Sequence, residues 1–186
     1  MICRALSIVL AVILAASCAI ARAGYYYSPL DDAGRAGPAF ALLSHDTLPE
    51  APASSIRGKL PAGYQPLRFD CVPAGGWLWN RTHLIGSLFG GESSLQNLVT
   101  ATQYTNQTLM YPLEAQVYAY LAADRGRVLL AVVPIYCGKE IIPRGLYFFA
   151  QSVSDESIRI SVFLPNIQPG VSINYLNGDA EEAPHF

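Results

Sequence analysis

The sequence predicts one α+β domain built on a central, mainly antiparallel sheet, and three observations carry that expectation. The only long stretch with helical spacing is Asn106 to Ala123, where Leu109, Leu113, Val117 and Tyr120/Leu121 recur on one face. Apolar and β-branched runs flank it, the clearest being Val128 to Tyr136. Finally, 186 residues with 52% hydrophobic content suffice for one well-cored domain and leave little for a second.

In chain order, the first segment is not expected to belong to the fold. Met1 to Arg4 carries one positive charge, Ala5 to Ile20 is almost wholly apolar, and Ala21-Arg22-Ala23 is a small-x-small site. This pattern predicts a secretory signal peptide cleaved after Ala23, giving a mature chain of residues 24–186 without stable membrane association. A retained anchor would need about 20 apolar residues, and this run is shorter and ends in Arg22. Cleavage removes two arginines and no acid, so the net charge falls from −2 to −4. That balance predicts weak, salt-sensitive binding to any polyanion.

Gly24 to Ser28 suits an edge strand and Pro38 to Leu43 a first core strand. Ser44 to Pro66, rich in Pro, Ser, Ala and Gly, is expected to be a long loop whose cationic cluster is Arg57-Gly58-Lys59. Leu67 to Val72 and Trp77 to Ile85 are expected as two strands around the turn Pro73-Ala74-Gly75-Gly76, with Gly86 to Leu98 a loop. After the helix, Val128 to Tyr136, Gly145 to Val153, Ser157 to Leu164 and Val171 to Leu176 predict strands, and Asn177 to Phe186 a loose tail. The mature chain keeps Cys71 and Cys137, a pair that in an exported protein suggests one disulfide, the alternative being two unpaired buried thiols. No Cys/His cluster suggests zinc.

Chemistry concentrates in Asn80 to Glu114. His83 is followed by Asn97, by Asn106 nine residues on, and by Glu114 eight residues beyond that. The segment Asn80-Arg81-Thr82-His83, with those partners, resembles the DNA/RNA non-specific endonucleases of the ββα-metal fold, whose signature is Asp-Arg-Gly-His. The resemblance extends upstream to Leu30 to Phe40 and downstream to Val133-Pro134-Ile135-Tyr136 and Asn166 to Gly170. It departs at Asn80, which keeps an acceptor but loses the charge of Asp, and at Thr82, which shows that no positive φ is required there.

The resemblance implies a ββα-metal active site and hydrolysis of DNA and RNA phosphodiesters with one Mg²⁺, for which Mn²⁺ could substitute. It makes His83 the general base, its ring held by a backbone carbonyl, and Asn106 the metal ligand. Glu114 then orients metal-bound water or Asn106, and Asn97 fixes the loop or the His pocket. Arg57 stabilises charge on the phosphate, with Arg35 as runner-up, and Arg81 contacts substrate or forms a structural ion pair. A rival reading is a non-catalytic nucleic-acid-binding or surface protein that retains the fold. A toxin role would be marked by a co-produced inhibitor protein.

Overall fold

The computed structural model describes residues 24–50, 55–73 and 75–183; the expected signal peptide lies outside the described residues. The frame is a five-stranded sheet of order β1-β2-β5-β6-β7, with every neighbouring pair antiparallel. Its strands are β1 (Tyr25–Tyr27), β2 (Ala39–Leu43), β5 (Val128–Ile135), β6 (Gly145–Ser152) and β7 (Arg159–Pro165). Alternation divides the two faces. Val128, Leu130 and Val132 of β5 join the main core, whereas Leu129 and Ala131 pack with Phe40 on the opposite face.

A second layer covers the main-core face. The strands β3 (Trp79–His83) and β4 (Leu98–Thr102) form an antiparallel pair in the register Trp79↔Thr102 to His83↔Leu98. A π-helical turn over Tyr104–Met110 follows β4 and leads into α1 (Tyr111–Ala122). Val117, Tyr120 and Leu121 of α1 and Met110 of the π turn pack into the same core as Leu146 and Phe148 of β6. This β3–β4–α1 unit is the ββα element that the resemblance implies. Among the described residues no helix is long and apolar enough to cross a membrane.

Four local expectations require correction. Leu67 to Val72 is not a strand; only the isolated bridge Arg68↔Trp77 forms there, and β3 takes β4 as its partner. The helical run begins at Tyr104, with a wide turn before α1. Pro112 accounts for it, because a proline has no N–H to continue the i→i−4 ladder and its ring crowds the carbonyl one turn back. Nor is Asn177 onward a loose tail up to Glu182. It turns back so that β9 (Ala180–Glu182) pairs with β8 (Val171–Ile173).

The fourth correction is the expected Cys71–Cys137 disulfide. Both cysteines are free and exposed. Cys71 lies in the turn region ahead of β3, beside Gly170, whereas Cys137 follows β5 of the five-stranded sheet. With Leu67 to Val72 outside any sheet, the two segments are not strand neighbours, which was the basis for pairing them.

Candidate active site

His83 is the last residue of β3, so its position follows from the β3–β4 register. It opens onto a cleft of about 250 Å³ walled by Arg81, Thr82 and His83 of β3, Gly86 to Leu88 of the next loop, Asn106 and Gln107 of the π turn, and Tyr111 and Glu114 of α1. His83, Asn106, Glu114 and Arg81, picked out in the sequence, therefore meet in one place.

The His83 imidazole is half-buried, and its Nε2 is buried with no hydrogen-bond partner. No carbonyl among the described residues holds the ring, contrary to the expectation. Desolvation lowers its pKa below the ordinary histidine value, because burial penalises the imidazolium. A neutral imidazole in the lining of a cleft is equipped to accept a proton.

Asn106 is held by the start of the π turn. The Thr105 hydroxyl donates to Pro165 O at 2.9 Å, and Tyr104 N donates to the Gln168 side-chain oxygen at 3.1 Å. Asn166 ties the same region down, accepting from Thr102 N and donating to Thr100 O and Pro143 O while fully buried. The Asn106 Nδ2 donates to Asn80 Oδ1 at 3.0 Å, and none of the described residues donates to its Oδ1.

Glu114 is the unusual group. Its carboxyl is buried to 8% exposure and makes no hydrogen bond or ion pair with a described residue. Desolvation raises its pKa to about 7. The loop leaves room for it only because residue 86 is glycine: a Cβ there would sit 2.5 Å from Glu114 Oε1. Sequence reasoning missed that requirement, although a Gly three residues after the His was visible.

Asn97 is placed differently. It is fully buried, accepts from Ile85 N at 2.8 Å, and donates to Ile85 O at 2.9 Å and Glu92 O at 2.8 Å. All its bonds go to the backbone of the loop between β3 and β4, so it positions the loop and none of its polar atoms is turned to the cleft. Arg57 is exposed on a turn closed by Lys59 N to Ile56 O and is not among the residues lining the cleft. Arg35 is committed elsewhere, paired with Asp31 at 2.7 Å and 4.7 Å from the Tyr136 ring centroid. The cation in the lining is Arg81, whose Nη1 donates to Ile56 O at 2.7 Å.

The arrangement also limits the metal. Among the described residues no group of three or more His, Cys, Asp or Glu converges. An amide oxygen with a nearby buried carboxyl suits a hard cation that keeps most of its waters, and does not suit zinc held by an N/S cage.

Residues 16–154 match the DNA/RNA non-specific endonuclease family. The chain belongs to that family. It is accordingly an endonuclease acting on nucleic-acid phosphodiesters. Solved structures agree in fold. NucA from Streptococcus agalactiae with magnesium bound superposes with a TM-score of 0.76 at 20% identity, covering 87% of this chain and 81% of that one. The Sda1 nuclease with bound zinc gives 0.70 at 23% identity over 86% and 81%. A structure described as an extracellular nuclease gives 0.60 at 21% identity over 86% and 93%. No match to curated protein sequences was found.

Proposed function

We propose that this endonuclease is an exported, sugar-non-specific enzyme that cleaves DNA and RNA with one Mg²⁺ and His83 as general base. The observation that carries the reading is the convergence of His83, Asn106 and the buried Glu114 in the lining of one cleft. The magnesium in the NucA structure and the extracellular description of another relative support it.

In this mechanism His83, kept neutral by burial, takes the proton of the attacking water. Asn106 Oδ1 is the protein oxygen that would hold the cation, and Asn80 keeps that oxygen turned outward by occupying Nδ2. When bound there, Mg²⁺ supplies Lewis-acid neutralisation of the phosphate and its leaving oxygen. Glu114 accepts hydrogen bonds from water in the cleft and adds negative charge beside the cation. Arg81 takes the role expected of Arg57, offering guanidinium donors to the scissile phosphate. Contacts confined to phosphate and sugar carry no base information, which fits breadth of substrate.

The test is cleavage of plasmid DNA and of RNA in Mg²⁺, beside His83→Ala and a chelator control. Metal-dependent cutting that His83→Ala abolishes is the expected result. A folded wild-type protein that cuts neither substrate in Mg²⁺ or Mn²⁺ would overturn the proposal.

A further inference from the structure

Adjoining the catalytic cleft, and sharing Arg81 and Asn106 with it, is a second cavity of about 480 Å³. Its chemistry is different. Tyr64, Trp77 and Trp79, with Pro66 among them, give it a largely aromatic wall that the catalytic steps do not use. Trp79 is 2% exposed and its indole N–H is spent on Gly178 O, so it is a structural floor. Trp77 is 45% exposed, with the Arg68 guanidinium 5.1 Å from its ring centroid. An indole part-exposed at the edge of a polyanion site, with a guanidinium over one face and the other face left for a base, matches the platforms on which proteins stack nucleobases.

We propose that this cavity binds an unpaired nucleobase of the strand whose phosphate lies in the catalytic cleft, stacked on Trp77. The inference rests on the nuclease reading of that cleft. Two further observations support this occupant. The cavity adjoins the phosphate site, sharing Arg81 and Asn106 with it, so a nucleotide neighbouring the scissile bond is placed beside it. A chain with net charge −2, or −4 once the expected signal peptide is removed, gains little from neutralising phosphates, and stacking supplies affinity that needs no net positive charge. In a duplex each base is already stacked on its neighbours, so only an unpaired or extruded base presents a face.

The experiment compares wild type, Trp77→Ala and Trp77→Phe on single-stranded oligothymidylate and on duplex DNA. Trp77→Ala is expected to raise KM on the single strand about tenfold, to change KM on duplex far less, and to leave the slope of affinity against salt unchanged. Trp77→Phe, which still stacks, is expected to restore KM. A second readout does not depend on cleavage. The chain has two tryptophans, so oligothymidylate should quench wild-type fluorescence through exposed Trp77 and leave Trp77→Phe unquenched. Quenching by a wild-type protein that fails to cut would uphold the base site while removing the nuclease reading. An unchanged KM in Trp77→Ala, or equal quenching in Trp77→Phe, would overturn the base site even if His83 proves essential.

Discussion

Asn106 Nδ2 donates to Asn80 Oδ1 at 3.0 Å, joining the start of the helical segment to the middle of β3 across the cleft wall. That bond decides which end of the Asn106 amide faces the cleft. Replacing Asn80 by Ala frees the amide to rotate. With a hydrogen bond contributing about 1 kcal/mol, the Mg²⁺ concentration for half-maximal cleavage is expected to rise roughly five- to tenfold. Asn80→Asp keeps the acceptor and adds a negative charge, so the same midpoint should fall. A magnesium titration with identical midpoints in all three proteins would show that Asn80 does not orient Asn106. At position 80 Asn supplies the acceptor for this bond without the charge that Asp would add.

His83 is expected to remain neutral at slightly acidic pH. Its pKa is lowered from 6.5 by burial, so the folded state resists protonation that the unfolded chain accepts. The sign follows: its contribution to stability is complete above pH 6.5 and is eroded as pH falls toward the folded value. Imidazole C–H resonances followed by NMR in metal-free protein would check this. The signal that His83→Gln removes should titrate below pH 6.5, and a midpoint at or above that value would count against a desolvated base.

Much of this could be read from the chain, and the rest is missing for identifiable reasons. β2, β5 and β6 were legible from short apolar runs such as Val128 to Ile135, and β7 from a run in which exposed and partly buried residues alternate. β4 was not, because Leu98-Val99-Thr100-Ala101-Thr102 looks half polar although every residue is buried. Its threonines are satisfied by distant partners, Thr100 by Ala62 O and Thr102 by Ile167 O, which no local pattern reveals. His83, Asn106 and Glu114 could be singled out together because their spacing resembles the family's motif, and the fold brings all three to one cleft. Arg57 was misplaced because the direction of an exposed turn is set by tertiary contacts. Trp77 passed unnoticed because an aromatic in a β-like run suggests core, and only its 45% exposure beside the cleft says otherwise.

Asn97 offers a test of positioning without chemistry. Truncation to Ala leaves the N–H and C=O of Ile85 and the C=O of Glu92 without their partner in a buried setting. That is expected to cost about 3 kcal/mol, lowering Tm by roughly 10 °C. Calorimetry checks it. A Tm within a degree or two of wild type would mean that the loop closes without Asn97.

Gly86 carries a sharper steric claim. In Gly86→Ala the new Cβ would meet Glu114 Oε1 at 2.5 Å and Phe89 Cδ2 at 3.5 Å. Phe89 is fully buried, so relief must come from the Glu114 carboxyl moving toward the cleft. Overpacking of this kind costs about 1–3 kcal/mol, and cleavage should fall by an order of magnitude or more because the displaced carboxyl enters the metal region. Wild-type cleavage rates in a normally folded Gly86→Ala protein would show that Glu114 need not occupy its observed place.

Glu114 itself yields a prediction about stability and pH. Below pH 4.5 the carboxyl is protonated in folded and unfolded chains alike, and it has no effect. Between 4.5 and about 7 the unfolded chain loses the proton while the buried group keeps it, so stability declines as pH rises. Above about 7 the penalty is complete, on the order of 3 kcal/mol for a group almost wholly buried. Glu114→Gln removes it. Urea denaturation of metal-free protein from pH 5 to 8 should therefore show wild type losing stability relative to Glu114→Gln, with the gap closing when Mg²⁺ is added to wild type, because a bound cation favours the carboxylate. Parallel pH profiles for the two proteins would mean that the carboxyl is solvated, and that it is no reserve of charge awaiting a metal.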